Sequence, residues 1–474
     1  MSNSAKRERR RREVRFRRRV AEITQRLRQG EGLVFRELLG AEVVERLLLE
    51  VGYAGQERIY SPLVVLWVFL SQVLAADQSC RAAVARLNAD RIAQQLPPCS
   101  PETGAYCVAR ARLPETLFSK LVRNTGEQLQ AAAPAAWLVQ DRPVKLVDGA
   151  TVTMPDTAEN QAEYPQPSSQ EPGLGFPIAR MVVIFSLAVG AVLDYAVGPY
   201  AGKKTGENQL FRGLMDGLSP DDVVVADRYY ASYWDFALLA QRGVDLVTRL
   251  HPMRRADFRR GTRLGKDDHL VAYEKPPRPY WMDQATYDAL PNELVLREVK
   301  VRVRIPGCRV TDYVLVTSLF DAEKYSATAL ASLYRERWHA ELDLRALKST
   351  MQMEHLRCLT PDLVRKEIAM HFTAYNLVRH LMAEAAALTD QTPRQLSFKG
   401  ALQTLTAHRD RGLLDGGYHL ETHAALLASV ATHTVGHRPH RVEPRAVKRR
   451  RKCKFLTVPR QQAKTRLLKK RSAD

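Results

Sequence analysis

The chain has 474 residues, 45% of them hydrophobic, and a formal net charge of +20. That length suffices for about two to four domains with a full-sized core. The longest apolar run, PLVVLWVFLSQVLAA from Pro62 to Ala76, is too short and too interrupted to span a membrane.

The positive charge is concentrated at the two ends. Residues 6–19 hold ten Lys/Arg against Glu8 and Glu13, a net of +8, and residues 441–474 hold fourteen against Glu443 and Asp474, a net of +12. These two arms carry the whole excess and lack the apolar content to fold alone. Arms of this kind neutralise nucleic-acid phosphates without reading sequence. Neither has the apolar face that a membrane surface requires, and the first leads into no hydrophobic run, so it is not a secretory signal. The six cysteines (80, 99, 107, 308, 358 and 453) are scattered without C-x-x-C spacing, which argues for reduced thiols of an intracellular protein rather than a structural zinc site.

Between the arms the chain divides by pattern. Residues 20–140 read as a helical N-terminal domain, with apolar residues at three-to-four spacing in ELLGAEVVERLLLEVG, RAAVARLNADRIAQQL and ETLFSKLVRNTGEQLQAAA. Ser61 as N-cap and Pro62 at the first helical position start a buried helix. Arg110 and Arg112 lie on a helix just before another, an arrangement shared by small DNA-binding modules and ordinary helical bundles. Over 141–250 strands alternate with helices: PVKLVDGATVTM, two strands joined across Gly190, and DDVVVADRYY and VDLVTRL separated by helices. That alternation predicts an α/β layer with a mostly parallel sheet. Helical periodicity vanishes over 251–325, where short runs such as LREVKVRVRI and DYVLVTSLF predict a β-rich insertion. Helices return over 326–440.

Asp148 and Asp227 each stand at the end of an apolar strand, where α/β sheets bind ligands. Taken singly, either is an ordinary turn residue, and Asp148-Gly149 is a common turn signal. The segment 331–350, ASLYRERWHAELDLRALKST, supplies a third carboxylate. On one continuous helix, Tyr334, Arg337, Glu341 and Lys348 fall within a wedge of roughly 60°, flanked by Trp338, Leu342 and Leu344, whereas Glu336 and Asp343 lie roughly 140–160° away. A solvated helix face would treat all three acids alike; a cleft-lining stripe would make Glu341 essential and leave Glu336 and Asp343 dispensable. Three carboxylates sharing a site suit divalent metal, since Mg²⁺ takes carboxylate oxygens together with water and phosphate oxygens.

Asp148, Asp227 and Glu341, with Y-x2-R-x3-E-x6-K at Tyr334, Arg337, Glu341 and Lys348, resemble the insertion-sequence-four family of DDE transposases. LVDGATVTMPDT, VVVADRYYASYWDF and LYRERWHAELDLRALKS match the family's first, second and third acidic blocks, and the likeness extends from about Tyr60 into the Arg-rich C-terminus. The resemblance implies an α/β, RNase H-like core with a β-rich insertion, Mg²⁺ (Mn²⁺ substituting, two ions) held by the three acids, and cut-and-paste transposition. Water nicks the transposon end, the freed 3′-OH attacks, often through a hairpin, and the end is joined to target DNA. It further implies that Tyr334, Arg337 and Lys348 contact DNA backbone, that Arg249 stands where the family often has Arg, and that a homodimer holds the terminal inverted repeats. The place of action would be the bacterial cytoplasm, at the nucleoid. Trp281 is a candidate to stack on an extruded base, against the commoner reading of a strand Trp as core. The trio Asp267, Asp268 and His269 mimics a metal cluster but follows RRGTRLGK, which favours a turn. A nuclease without strand transfer and a DNA-binding derivative without catalysis are the rival readings.

Overall fold

The computed structural model describes residues 36–436, apart from 54–58, 94, 172, 203–204, 304–310 and 415–419, together with a few isolated residues between 458 and 469. Both basic arms thus lie almost wholly outside the described residues, as do Cys308 and Cys453. Cys80, Cys99, Cys107 and Cys358 are free thiols.

The N-terminal helices are α1 (Ala41–Glu50), α2 (Pro62–Leu74), α3 (Cys80–Ala93), α4 (Gly104–Arg112) and α5 (Glu115–Ala131). Ser61 caps α2 by accepting from the Val64 N–H, and Pro62 occupies its first turn. In α4 the two arginines part company. Arg112 is exposed, whereas Arg110 is buried, its guanidinium 4.7 Å from the Phe69 ring and 5.3 Å from the Tyr106 ring. Arg110 is therefore a packing residue of the bundle.

Nine strands follow: β1 (Val144–Thr153), β2 (Ile178–Ser186), β3 (Val192–Pro199), β4 (Val223–Ala226), β5 (Asp245–Arg249), β6 (Thr262–Gly265), β7 (Asp268–Glu274), β8 (Glu293–Val303) and β9 (Thr311–Thr317). They form one sheet in the order β3-β2-β1-β4-β5-β9-β8-β7-β6. The expectation of a mostly parallel sheet is corrected here. Only β1–β4 and β4–β5 pair in parallel, while the other six neighbours are antiparallel. The tight turn at Gly190 (φ +78°) joins β2 directly to β3, since antiparallel neighbours need no crossover helix. The β-rich stretch extends the same sheet, with β9 hydrogen-bonded alongside β5 through Val247↔Thr317. Asp267 sits at a left-handed turn (φ +58°) between β6 and β7, and the next two residues start β7. There Asp268 pairs with buried Arg297 and His269 with Glu298, so the trio is a turn and two structural side chains.

The remaining helices are α6 (Ala158–Glu163), α7 (Glu207–Arg212), α8 (Tyr233–Ala240), α9 (Gln284–Ala289), α10 (Ala327–Arg335), α11 (Trp338–Arg345), α12 (Pro361–Leu388), α13 (Phe398–Leu414) and α14 (Leu420–Thr432). Alternation along β1 sorts them into two layers, since successive strand residues face opposite sides. Leu146 enters a core built with the N-terminal helices, α10 to α14 and one sheet face; Val147 enters a second core with α7, α8 and the other face. Helix α12, 28 residues long and buried on nearly every side, is the axle of the first core. Asn376 shows how tightly α12 is held. Its Nδ2 donates to the Val192 carbonyl at 2.9 Å and the Thr125 Oγ1 at 3.1 Å, while its Oδ1 accepts from the Val192 N–H at 2.8 Å. One saturated buried amide thereby joins α5, β3 and α12, and an unpaired one would cost about 1–3 kcal/mol per group. Gly126 permits the approach, because a Cβ there would stand 2.2 Å from the Val192 carbonyl oxygen.

Candidate active site

The parallel pairing of β1 with β4 ends at Val147↔Ala226. Asp148 and Asp227 are the next residue on each strand, so the two carboxylates leave the sheet side by side. Strand β1 itself runs on to Thr153 against β2, which places Asp148-Gly149 inside a strand rather than in the turn their sequence suggests. Asp148 Oδ1 accepts from the Gly149 N–H at 2.9 Å. Asp227 caps the turn Arg228–Tyr230, accepting from the Tyr229 N–H at 2.6 Å, and its carbonyl takes the Thr248 hydroxyl of β5 at 2.7 Å.

Glu341 arrives on α11. Its Oε1 receives Arg337 Nη2 at 2.6 Å, and Arg337 Nη1 stands 3.8 Å from Asp148 Oδ2. Arg337 therefore bridges the first and third acids. Burial pushes the Asp148 carboxyl up to about 6, above the usual carboxylate range; the Gly149 N–H and Arg337 oppose this, and the charges of Glu341 and Asp227 reinforce it. The pocket is short of positive charge, and every donor in it is a hard oxygen. That donor set fits a divalent cation. Among the described residues no three His, Cys, Asp or Glu side chains are gathered closely enough to share an ion.

Other predicted residues assemble around this centre to different degrees. Tyr334, at the end of α10, is buried with its ring 5.7 Å from Tyr313. Burial pushes its hydroxyl up to about 12, while the nearby charges of Arg337 and Arg249 pull it down. Arg249, at the end of β5, lays its guanidinium 4.8 Å from the Tyr313 ring. Lys348 Nζ stands 3.7 Å from Glu354. The single continuous helix expected over 331–350 does not form. Bonds of the i→i−3 kind at Glu336, Arg337, His339 and Ala340 tighten the chain between α10 and α11, and a π-helical turn, Ala346–Thr350, widens it again. A fixed 100° step does not survive either change. Trp281 packs rather than presenting a free face: Arg212 lies 3.9 Å from its ring and Trp234 meets it edge-on at 6.3 Å. The core alternative for this Trp is the one its surroundings match.

Asp343, which helical spacing sets apart from the stripe of Glu341, is not solvated. It is 1% exposed and is held by Arg379 and by both oxygens to Arg394 Nη1, at 2.9 and 2.7 Å. Among the described residues Glu336, by contrast, pairs with His339 alone, at 3.0 Å. One residue escaped the sequence reading altogether. The Glu207 carboxylate fills the space beside Gly149, so close that a Cβ there would lie 2.5 Å from its Cδ. A glycine inside a strand marks just such an approach.

Residues 139–377, half of the chain, match the family model described as the transposase DDE domain. This protein belongs to the DDE transposase family. It is a DNA transposase, of an enzyme class that cleaves DNA and transfers strands. The chain is 28% identical over 373 residues to the transposase InsG for insertion sequence element IS4 of Escherichia coli (strain K12), covering 76% of this chain and 79% of that protein. That likeness is to a transposase of the IS4 type, the kind the sequence motifs resemble. A cryo-EM structure of the piggyBac transposase synaptic complex with hairpin DNA aligns with 84% of this chain and 80% of its own, at TM-score 0.39 and 11% identity. No described helix of the transposase is long and apolar enough to cross a membrane.

Proposed function

We propose that Asp148, Asp227 and Glu341 are the catalytic carboxylates of a cut-and-paste reaction at the terminal inverted repeats of an insertion sequence. The observation that carries this reading is the register of β1 and β4, which delivers two acids to one point with a third tied to them through Arg337. The strand order β3-β2-β1-β4-β5, with β2 and β3 antiparallel and β4 and β5 parallel to β1, supports an RNase H-like core.

The three acids would hold Mg²⁺, or Mn²⁺ in its place, in one or two ions. A bound divalent ion would stabilise charge on the attacking and leaving oxygens of phosphoryl transfer. The chain's own residues supply position. Arg337 carries a forked donor set suited to a phosphate. Tyr334 and Arg249 flank it, and Lys348, on the following turn, extends the basic surface along the backbone of double-stranded DNA. One chain carries one set of acids, so joining two transposon ends to target DNA calls for a homodimer. The arms at residues 1–19 and 441–474 add diffuse phosphate contacts. Action on DNA places the protein with the nucleoid in the cytoplasm.

The test is cleavage of labelled terminal-repeat DNA by purified protein in Mg²⁺, followed by joining to a plasmid target. Asp148→Asn, Asp227→Asn and Glu341→Gln should each abolish nicking while end binding persists. Robust nicking by any one of them removes that residue from the site, and nicking without joining by the wild type reduces the chain to a nuclease.

A further inference from the structure

We propose that Glu207 is a fourth carboxylate of the cation-binding centre, reaching it from the face of the sheet opposite Glu341. The proposal rests on the reading of Asp148 and Asp227 as that centre and extends it to a second side.

Alternation along β1 gives the geometry. Leu146 belongs to the core on the α11 side and Val147 to the core on the α7 side, so Asp148 points toward α11 and position 149 toward α7. Gly149 leaves that second side open, and the Glu207 carboxylate occupies it, with Cδ, Oε1 and Oε2 all 2.5–2.9 Å from where a Cβ would be. Helix α7 is fixed there by neighbours of Asp227. Asn208 Nδ2 donates to the Tyr229 carbonyl at 2.7 Å, and the Phe211 ring meets Tyr230 edge-on at 5.2 Å. Burial raises the Glu207 carboxyl, the charge of Arg180 pulls it down, and the charge of Asp227 pushes it up, as it also does at Asp148.

A helix-start acid balanced by a basic neighbour is the ordinary alternative, and Arg180 is the candidate. Arg180, however, spends Nη1 on the Thr205 carbonyl at 2.7 Å and stacks 4.8 Å from the Tyr200 ring. Among the described residues Glu207 makes no ion pair. A second observation points to a missing ligand. The Tyr230 hydroxyl is buried, 1% exposed, without a hydrogen-bond partner among the described residues, and the charges acting on it are first those of Glu207, Asp148 and Asp227. A buried hydroxyl among carboxylates is completed by water, and a hydrated divalent cation brings both the water and the charge that the acids lack.

The experiment titrates Mn²⁺ into the full-length, DNA-free protein, read by calorimetry and by the electron paramagnetic resonance of free Mn²⁺, for wild type, Glu207→Gln, Glu207→Asp and Asp227→Asn. Glu207→Gln should weaken Mn²⁺ binding at least tenfold and slow end cleavage in a way that raised Mg²⁺ partly restores. Its thermal midpoint in EDTA should not fall below that of the wild type, because burial raises this carboxyl and a neutral amide avoids that cost, and its affinity for end DNA should stay at the wild-type value. Glu207→Asp, with the carboxylate set back by one methylene, should fall between the two. Wild-type Mn²⁺ binding by Glu207→Gln alongside weakened binding by Asp227→Asn overturns the role of Glu207 alone. Unchanged binding by both variants removes the centre itself, and the proposal with it.

Discussion

Arg337 Nη2 lies 2.6 Å from Glu341 Oε1, and the same guanidinium reaches within 3.8 Å of Asp148. One side chain thus bridges two of the acids. Arg337→Ala should therefore tighten Mn²⁺ binding to the DNA-free protein while slowing cleavage of bound ends, because the DNA end loses its positioning group. Arg337→Lys should not restore cleavage, since an ammonium cannot reproduce the fork. Parallel Mn²⁺ titration and in-gel cleavage check both halves. Weaker Mn²⁺ binding by Arg337→Ala would mean that the guanidinium organises the acids instead of occupying their space.

The three acids of α11 and the turn before it should separate cleanly. Glu341→Gln should lose cleavage with folding intact, and Glu336→Gln should stay within about tenfold of wild type, a barrier change near 1.4 kcal/mol. Asp343→Asn should lose about 3–5 kcal/mol of stability, because Arg379 and Arg394 would keep buried charge without its partner. Thermal unfolding distinguishes that outcome from a catalytic one. An Asp343→Asn protein with wild-type stability contradicts the buried ion cluster.

Stability of the metal-free protein should depend on pH through Asp148. Its folded-state value of about 6 lies above that of the unfolded chain. Below about pH 4 both states hold the proton and nothing is lost; as pH rises toward 6 the unfolded chain releases it first, and the fold weakens. Arg337, Glu341 and Asp227 all face this carboxyl and set the size of the effect. Asp148→Asn should therefore stabilise the EDTA-treated protein at pH 7.5 by about 2–3 kcal/mol, with little gain at pH 4.5. Mg²⁺ should raise the wild-type midpoint at pH 7.5 and leave that of Asp148→Asn nearly unmoved.

Deletion of residues 1–19 should weaken binding to end DNA and to random DNA alike, and flatten the slope of log affinity against log salt. Fluorescence anisotropy across a salt series measures both. Loss of end-specific binding alone would make this arm a sequence reader.

The acids were legible because strand ends and helix spacing are local features. Val223 to Ala226 is an apolar run that Asp227 ends, and Arg337 and Glu341 are four apart, a spacing that survived the irregular turn; Asp148, read as a strand end, instead lies inside β1, which runs on to Thr153. What the sequence hid depends on distant partners. Asp343 looks solvated until Arg379 and Arg394, 36 and 51 residues away, close over it. Glu207 looks like a helix-start acid until β1 brings Gly149 beneath it. The antiparallel half of the sheet depends on pairings such as Arg249↔Leu315, which no window of periodicity spans. Lys348 lies on a π turn, and composition gives no warning of one.

Helix α12 has a consequence for the order of synthesis. The N-terminal helices pack around residues 361–388, which leave the ribosome after both aspartates and Glu341. A nascent chain that has emerged only to residue 350 therefore owns all three acids while α2 and α5 still lack the surface that buries them. On the proposed reading of these acids, the site waits for residues 361–388 to emerge and complete the core that holds its strands and helices in place.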